Sequence, residues 1–189
     1  MKSSQEIMGV VDRCTEEFAA TWPARAQRLA GELAQAANTA GMRGMGRSTS
    51  LLHEYERVCE EALSDARSLW LARATLVLVA KKPKPTDHLT DALAGRCITE
   101  LERVADGLDG QLASRAQTMG LGVHTPTVAG TRGLLRATTA TEIANVVHQY
   151  AATRDDARRP WYQRPMGYVV LTVVATVIGG LAVAWLLSK

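Results

Sequence analysis

The chain has 189 residues, with 22 Lys and Arg against 19 Asp and Glu, a formal charge of +3, a single Phe and six Pro. That length suits one domain with a sizeable core, and a composition rich in Ala, Leu, Arg, Thr and Val favours long helices over sheets. The positive excess is not gathered into a stripe with interleaved aromatic residues, which argues against a nucleic-acid-binding surface, and the three cysteines, Cys14, Cys59 and Cys97, lie far apart with no Cys-x-x-Cys pair, which argues against a metal clip.

The first seventeen residues, "MKSSQEIMGVVDRCTEE", carry charges where the apolar part of a secretory leader would stand. The bulk of the chain is therefore expected in the cytoplasm, with its cysteines as small apolar residues in a reducing compartment. Ser3 with Glu6 three residues on forms a capping box, and Ile7, Val10, Val11, Cys14 and Phe18 follow at helical spacing. This predicts a first helix over about 4–37, kinked or restarted near Pro23 because proline has no N–H to give to a helix interior. The stretch from Asn38 to Thr49, with Gly41, Gly44 and Gly46, reads as a loop.

A second helix is predicted over 50–80, with Leu52, Tyr55, Cys59, Ala62, Leu63, Ala66, Leu69 and Trp70 on or near one face. Its last third, "LWLARATLVLVA", is apolar nearly all round and is too short to span a bilayer at about 20 residues per crossing. It reads as a helix end buried in a bundle or lying against a membrane surface. "KKPKPTD" breaks the pattern, and Thr86 or Asp87 caps a third helix over 87–119 whose Leu89, Leu93, Cys97, Leu101, Val104, Leu108, Leu112 and Ala116 share a face. After a Gly- and Thr-rich connection, a fourth, shorter helix is predicted over 138–153 on Ile143, Val146, Val147 and Tyr150. The fold class is thus all-α, an elongated antiparallel helical bundle over residues 1–153.

A polar linker over 154–165 leads to Met166–Leu187, twenty-two residues without an Asp, Glu, Lys, Arg or His. As a helix this run is about 33 Å long, matching the ~30 Å hydrocarbon core of a bilayer, so a single C-terminal transmembrane helix is expected. Trp161, Tyr162 and Tyr168 near its start and Trp185 near its end suit the headgroup levels, and Arg164 joins Arg154, Arg158 and Arg159 ahead of the run. The positive-inside rule then places the preceding domain in the cytoplasm, in a bacterial inner membrane or, in a eukaryotic or viral setting, on an organelle outer membrane. Thr172, Thr176, Gly180, Ala184 and Ser188 recur every four residues, a small-residue stripe suited to close helix pairing and hence to a homodimer or higher oligomer. The run and its entry resemble the anchors of small bacterial inner-membrane proteins.

No catalytic constellation emerges. His53, His88, His124 and His148 lack a second ligand at helical spacing, and the paired carboxylates Glu16-Glu17, Glu60-Glu61 and Asp155-Asp156 are sequence neighbours pointing to different sides of a helix. Neither an enzyme nor a metal or cofactor is expected. One stretch, "CITELERVADGLDGQL", has Leu101, Val104, a small Ala105, Asp106, Leu108 and Asp109 in the order found in a BH3 segment, and so resembles the Bcl-2 family of apoptosis regulators. That resemblance implies a helix whose Leu101, Val104 and Leu108 fill a partner's groove while Asp106 meets an arginine there. The sequence lacks the family's Asn-Trp-Gly-Arg motif. The expected function is a tail-anchored, non-catalytic interaction protein binding the lipid bilayer and a protein partner. A membrane-perturbing effector and a BH3-like regulator are the alternatives.

Overall fold

The computed structural model describes residues 2–46, 48–122 and 126–158. They fold into four α-helices: α1 (Lys2–Met42), α2 (Thr49–Lys81), α3 (Asp87–Thr118) and α4 (Ala129–Arg158). No strand occurs among the described residues, and the all-helical bundle is as expected. The backbone divides into two compact units, residues 1–148 and 149–189, with the boundary inside α4. The run 166–187, with Trp161, Tyr162, Arg164 and the stripe from Thr172 to Ser188, lies outside the described residues. No described helix is long and apolar enough to cross a membrane.

In the first unit α1 packs most extensively on α2, and α3 packs on both. All eight residues of the α3 stripe are buried, and Cys14, Phe18, Leu33, Cys59, Leu63, Trp70, Leu93, Cys97 and Leu112 are fully enclosed. Full burial is worth about 1.5–3 kcal/mol per large apolar side chain, so this shared interior is the main source of stability.

Three boundaries differ from expectation. First, α1 continues through Pro23 with no break. Its buried face runs Val11, Cys14, Phe18, Arg25, Leu29, Leu33, so the helical register is the same on both sides of the proline. Phe18 stacks on Trp22 with ring centroids 5.9 Å apart, and Arg25 reaches Asp65 of α2 at 2.7 Å. The missing hydrogen bond is tolerated because the turn before the proline is stiffened by that stack and buried through Phe18, and the turn after it is pinned to α2.

Second, α1 ends at Met42, not near Ala37. Gly44, at φ +72, closes it: its N–H donates to the Gly41 carbonyl (3.0 Å) and the Met45 N–H reaches back to Ala40 (2.8 Å). The same closure ends α3, where Gly120 (φ +75) bonds Gln117 at 3.0 Å and Leu121 bonds Ala116 at 2.8 Å. Left-handed glycines satisfy the last carbonyls of a helix, so Asn38–Gly41 can stay helical ahead of the stop. Third, α4 runs from Ala129 to Arg158 instead of over 138–153, so the first five residues of the expected linker are helical.

The helix starts follow side-chain chemistry. Ser48 Oγ accepts from the Leu51 N–H (3.3 Å) and Thr86 Oγ1 from the Leu89 N–H (3.2 Å), each from an extended backbone. At the other end of α2, Lys82 adopts φ +52 and its N–H bonds the Leu78 carbonyl at 2.9 Å. A non-glycine residue pays about 1–2 kcal/mol in this left-handed conformation.

Candidate functional site

The α3 stretch singled out by sequence faces inward. Leu101, Val104 and Leu108 are buried, and Ala105 with them. Asp106 is 74% exposed, yet it is paired within the chain to Arg132 of α4. The arginine that the resemblance assigns to a partner is therefore supplied by this chain, and the apolar residues that would enter a groove already form the core.

Arg132 is the hub of a polar seam between α3 and α4. Its Nε lies 3.0 Å from Glu102, one Nη contacts Asp106, and the other is 3.9 Å from Asp109. It also donates to the Glu102 carbonyl at 3.3 Å. Glu102, Asp106 and Asp109 are spaced by four and three, which puts them on one face of α3 opposite the start of α4. The hydrogen bond to Asp106, above all, holds the guanidinium of Arg132 above its ordinary pKa against the opposing effect of burial. Asp109 additionally accepts from the Val128 N–H at 2.8 Å, ordering the entry to α4.

On the α2 side, the Thr131 hydroxyl donates to Glu60 (2.9 Å) and Arg67 donates to Glu142 (2.8 Å). These ordered pairs set α4 parallel to α2 and antiparallel to α3 within the first unit. A second internal arginine, Arg25, bridges Asp65 at 2.7 Å and Glu32 at 3.0 Å. Burial pulls its pKa down, but the hydrogen bonds to Asp65 and Glu32 outweigh it and leave the guanidinium above its usual value. Neither hub was singled out by sequence. The signal for Arg132 was the acidic 102/106/109 face on α3, a charged stripe beside an apolar one.

The cysteines are free and fully buried. Burial pushes the thiols of Cys14 and Cys97 up to about 12 and that of Cys59 to about 11. The nucleophilic thiolate is thus disfavoured at all three positions. Of the histidines, His53 is exposed and lies 3.1 Å from Glu56, His88 and His148 are exposed, and His124 lies outside the described residues. Among the described residues no group of three His, Cys, Asp or Glu converges on a metal-sized site.

Two open clefts separate α1 from α2. One, of about 670 Å³, lies between the end of α1 and the start of α2 and is lined by Glu32, Thr39, Arg43, Glu54, Arg57 and Glu61 among others. There Arg57 bonds Glu54 at 2.6 Å and also contacts Glu61, and its hydrogen bond holds Glu54 below the ordinary carboxylate value. The other, of about 720 Å³, lies between the start of α1 and the end of α2, beside Asp12, Glu16, Arg73, Leu76 and Lys81. This second end carries the exposed face of "LWLARATLVLVA": Trp70, Ala74, Val77 and Leu78 are buried, whereas Leu76 and Val79 are 58% and 57% exposed.

No family model, curated protein or solved structure matches this chain.

Proposed function

We propose that this chain is a single-pass, tail-anchored membrane protein whose cytoplasmic helical unit acts by binding another protein or a second copy of itself, without catalysis. The observation that carries the reading is Met166–Leu187, twenty-two residues with no Asp, Glu, Lys, Arg or His, preceded by Arg154, Arg158, Arg159 and Arg164. A run of that length matches a bilayer core at ~20 residues per span, and the arginines favour a cytoplasmic location for what precedes it. Self-association is assigned to the stripe Thr172, Thr176, Gly180, Ala184 and Ser188, whose small side chains let two backbones approach.

The test is membrane fractionation of cells making the full chain. The protein should stay in the pellet after alkaline carbonate washing, and deletion of 166–187 should release it. Recovery of the full chain in the carbonate supernatant would sink the anchor. Crosslinking within the membrane tests the stripe separately. Gly180→Leu should diminish the dimer, and an unchanged dimer yield would remove the stripe from the pairing surface.

A further inference from the structure

The end of the first unit where α2 turns into α3 combines three features. The helix leaves Leu76 and Val79 more than half exposed, at 58% and 57%. Lys81 at the end of the helix and Lys82 and Lys84 in the turn that follows are all exposed and without an ion pair among the described residues. Between Asp65 and Asp87 the sequence has no acidic residue, only Arg67, Arg73 and these lysines. Across the cleft, Glu16 and Glu17 of α1 are occupied by Arg13 at 3.1 and 2.6 Å. Lys82 stands in a left-handed conformation, φ +52, which ends α2 and begins the turn.

The geometry points to this face as a docking surface for an anionic bilayer. Apolar side chains beside a tight cluster of lysines are complementary to acyl chains beneath negative headgroups, whereas a neutral protein surface would match the leucine and valine but not the lysines. The direction of α4 through the first unit, set by Thr131–Glu60 and Arg67–Glu142, leads towards the same end. The inference rests on the anchor reading for the presence of a bilayer beside this unit and on the lysine and apolar face for its lipid preference.

The buried native cysteines make a selective probe available: Leu76→Cys in the full chain, carrying an environment-sensitive fluorophore, with exposed Ser114→Cys as control and Val79→Cys as a second reporter. The labelled protein is reconstituted with vesicles of phosphatidylcholine alone or mixed with phosphatidylglycerol. Emission at position 76 should shift to the blue with phosphatidylglycerol only, reverse in high salt, and leave position 114 unmoved. Each of Lys81→Gln, Lys82→Gln and Lys84→Gln should lower the docked fraction relative to the undocked by about five-fold. Equal emission in both lipids, while the protein still floats with carbonate-washed vesicles, overturns the docking surface and leaves the anchor standing. Salt-reversible flotation with phosphatidylglycerol alone, with the blue shift present, overturns the anchor and leaves the docking surface standing. A blue shift without vesicles that grows with protein concentration assigns the face to a second copy and overturns the lipid assignment.

Discussion

Helix α3 and the part of α4 that belongs to the first unit are held there by different chemistry. Along α3 the interior contacts are mainly apolar: eight residues from Leu89 to Ala116 enter the interior at spacings of three and four, and the one buried charge, Glu100, is paired on its own helix with Arg96 and Arg103. In the first unit α4 contributes a thinner apolar line, Leu135, Ile143 and Val147, and is fastened by Arg132 to α3 and by Thr131 and Glu142 to α2. Burying carbon is non-directional and cumulative, so loss of one contact is felt by the whole core. Partly exposed ion pairs are directional and individually weak, so α4 should open before the core does.

The sharpest test of that contrast is truncation in the α3 stripe. Leu108→Ala should cost about 2–5 kcal/mol in a chemical-denaturation curve, and the cost should appear in amide exchange of α1, α2 and α3 together. An effect confined to α3 would break the idea of one shared interior.

Alkaline pH tests the core next, since its three cysteines lie in α1, α2 and α3 and none in α4. Their folded values, about 12 for Cys14 and Cys97 and about 11 for Cys59, lie above the ordinary 9.0. The unfolded chain therefore binds fewer protons than the folded one once pH passes 9.0, and stability, fully present below that value, falls as pH rises towards the folded values. Each thiol contributes a slope of up to about 1.4 kcal/mol per pH unit. Thermal midpoints should drop over this window, and Cys97→Ala should flatten the slope. A wild-type midpoint that does not move would show that burial does not hold the thiols neutral.

The same contrast explains what was legible in the sequence. The α3 face could be read residue by residue because apolar periodicity is both the signal and the physical cause of docking. Pro23 does not break α1 because the local rule is outweighed by the Phe18–Trp22 stack across the preceding turn and by the long-range pin of Arg25 on Asp65. The loop after Ala37 was drawn too early because Gly44, not Gly41, is the left-handed stop. The start of α4 lies ahead of its expected position because Gly130, Thr131 and Gly133 are poor helix formers on their own. In the fold, Thr138 and Thr139 turn their hydroxyls back to the Leu134 and Leu135 carbonyls at 3.1 and 2.6 Å, and the acidic face of α3 holds Arg132. The Asp106 motif was visible, but its partner is an intramolecular arginine that motif reading alone could not supply.

Removing that arginine should separate the two helices energetically. Arg132→Leu leaves Glu102, Asp106 and Asp109 facing one another and should cost about 1–2 kcal/mol, expressed as faster amide exchange at the start of α4 while α3 keeps its protection. Equal loss of protection in α3 and α4 would mean that the seam is part of the core.

The smallest expected change runs the other way. Gly133 is exposed, a Cβ added there meets nothing within 4 Å, and its φ is not positive. Gly133→Ala should therefore stabilise α4 by about 0.5–1 kcal/mol, by reducing the freedom of the unfolded chain without adding a contact. The matching change at Gly120, where φ is +75, should destabilise instead, because alanine cannot take the left-handed stop of α3 without strain. Amide exchange in α4 reads the first variant and global denaturation the second. If both substitutions moved stability in the same direction, backbone conformation would not be what distinguishes a helical glycine in α4 from a helix-ending one in α3.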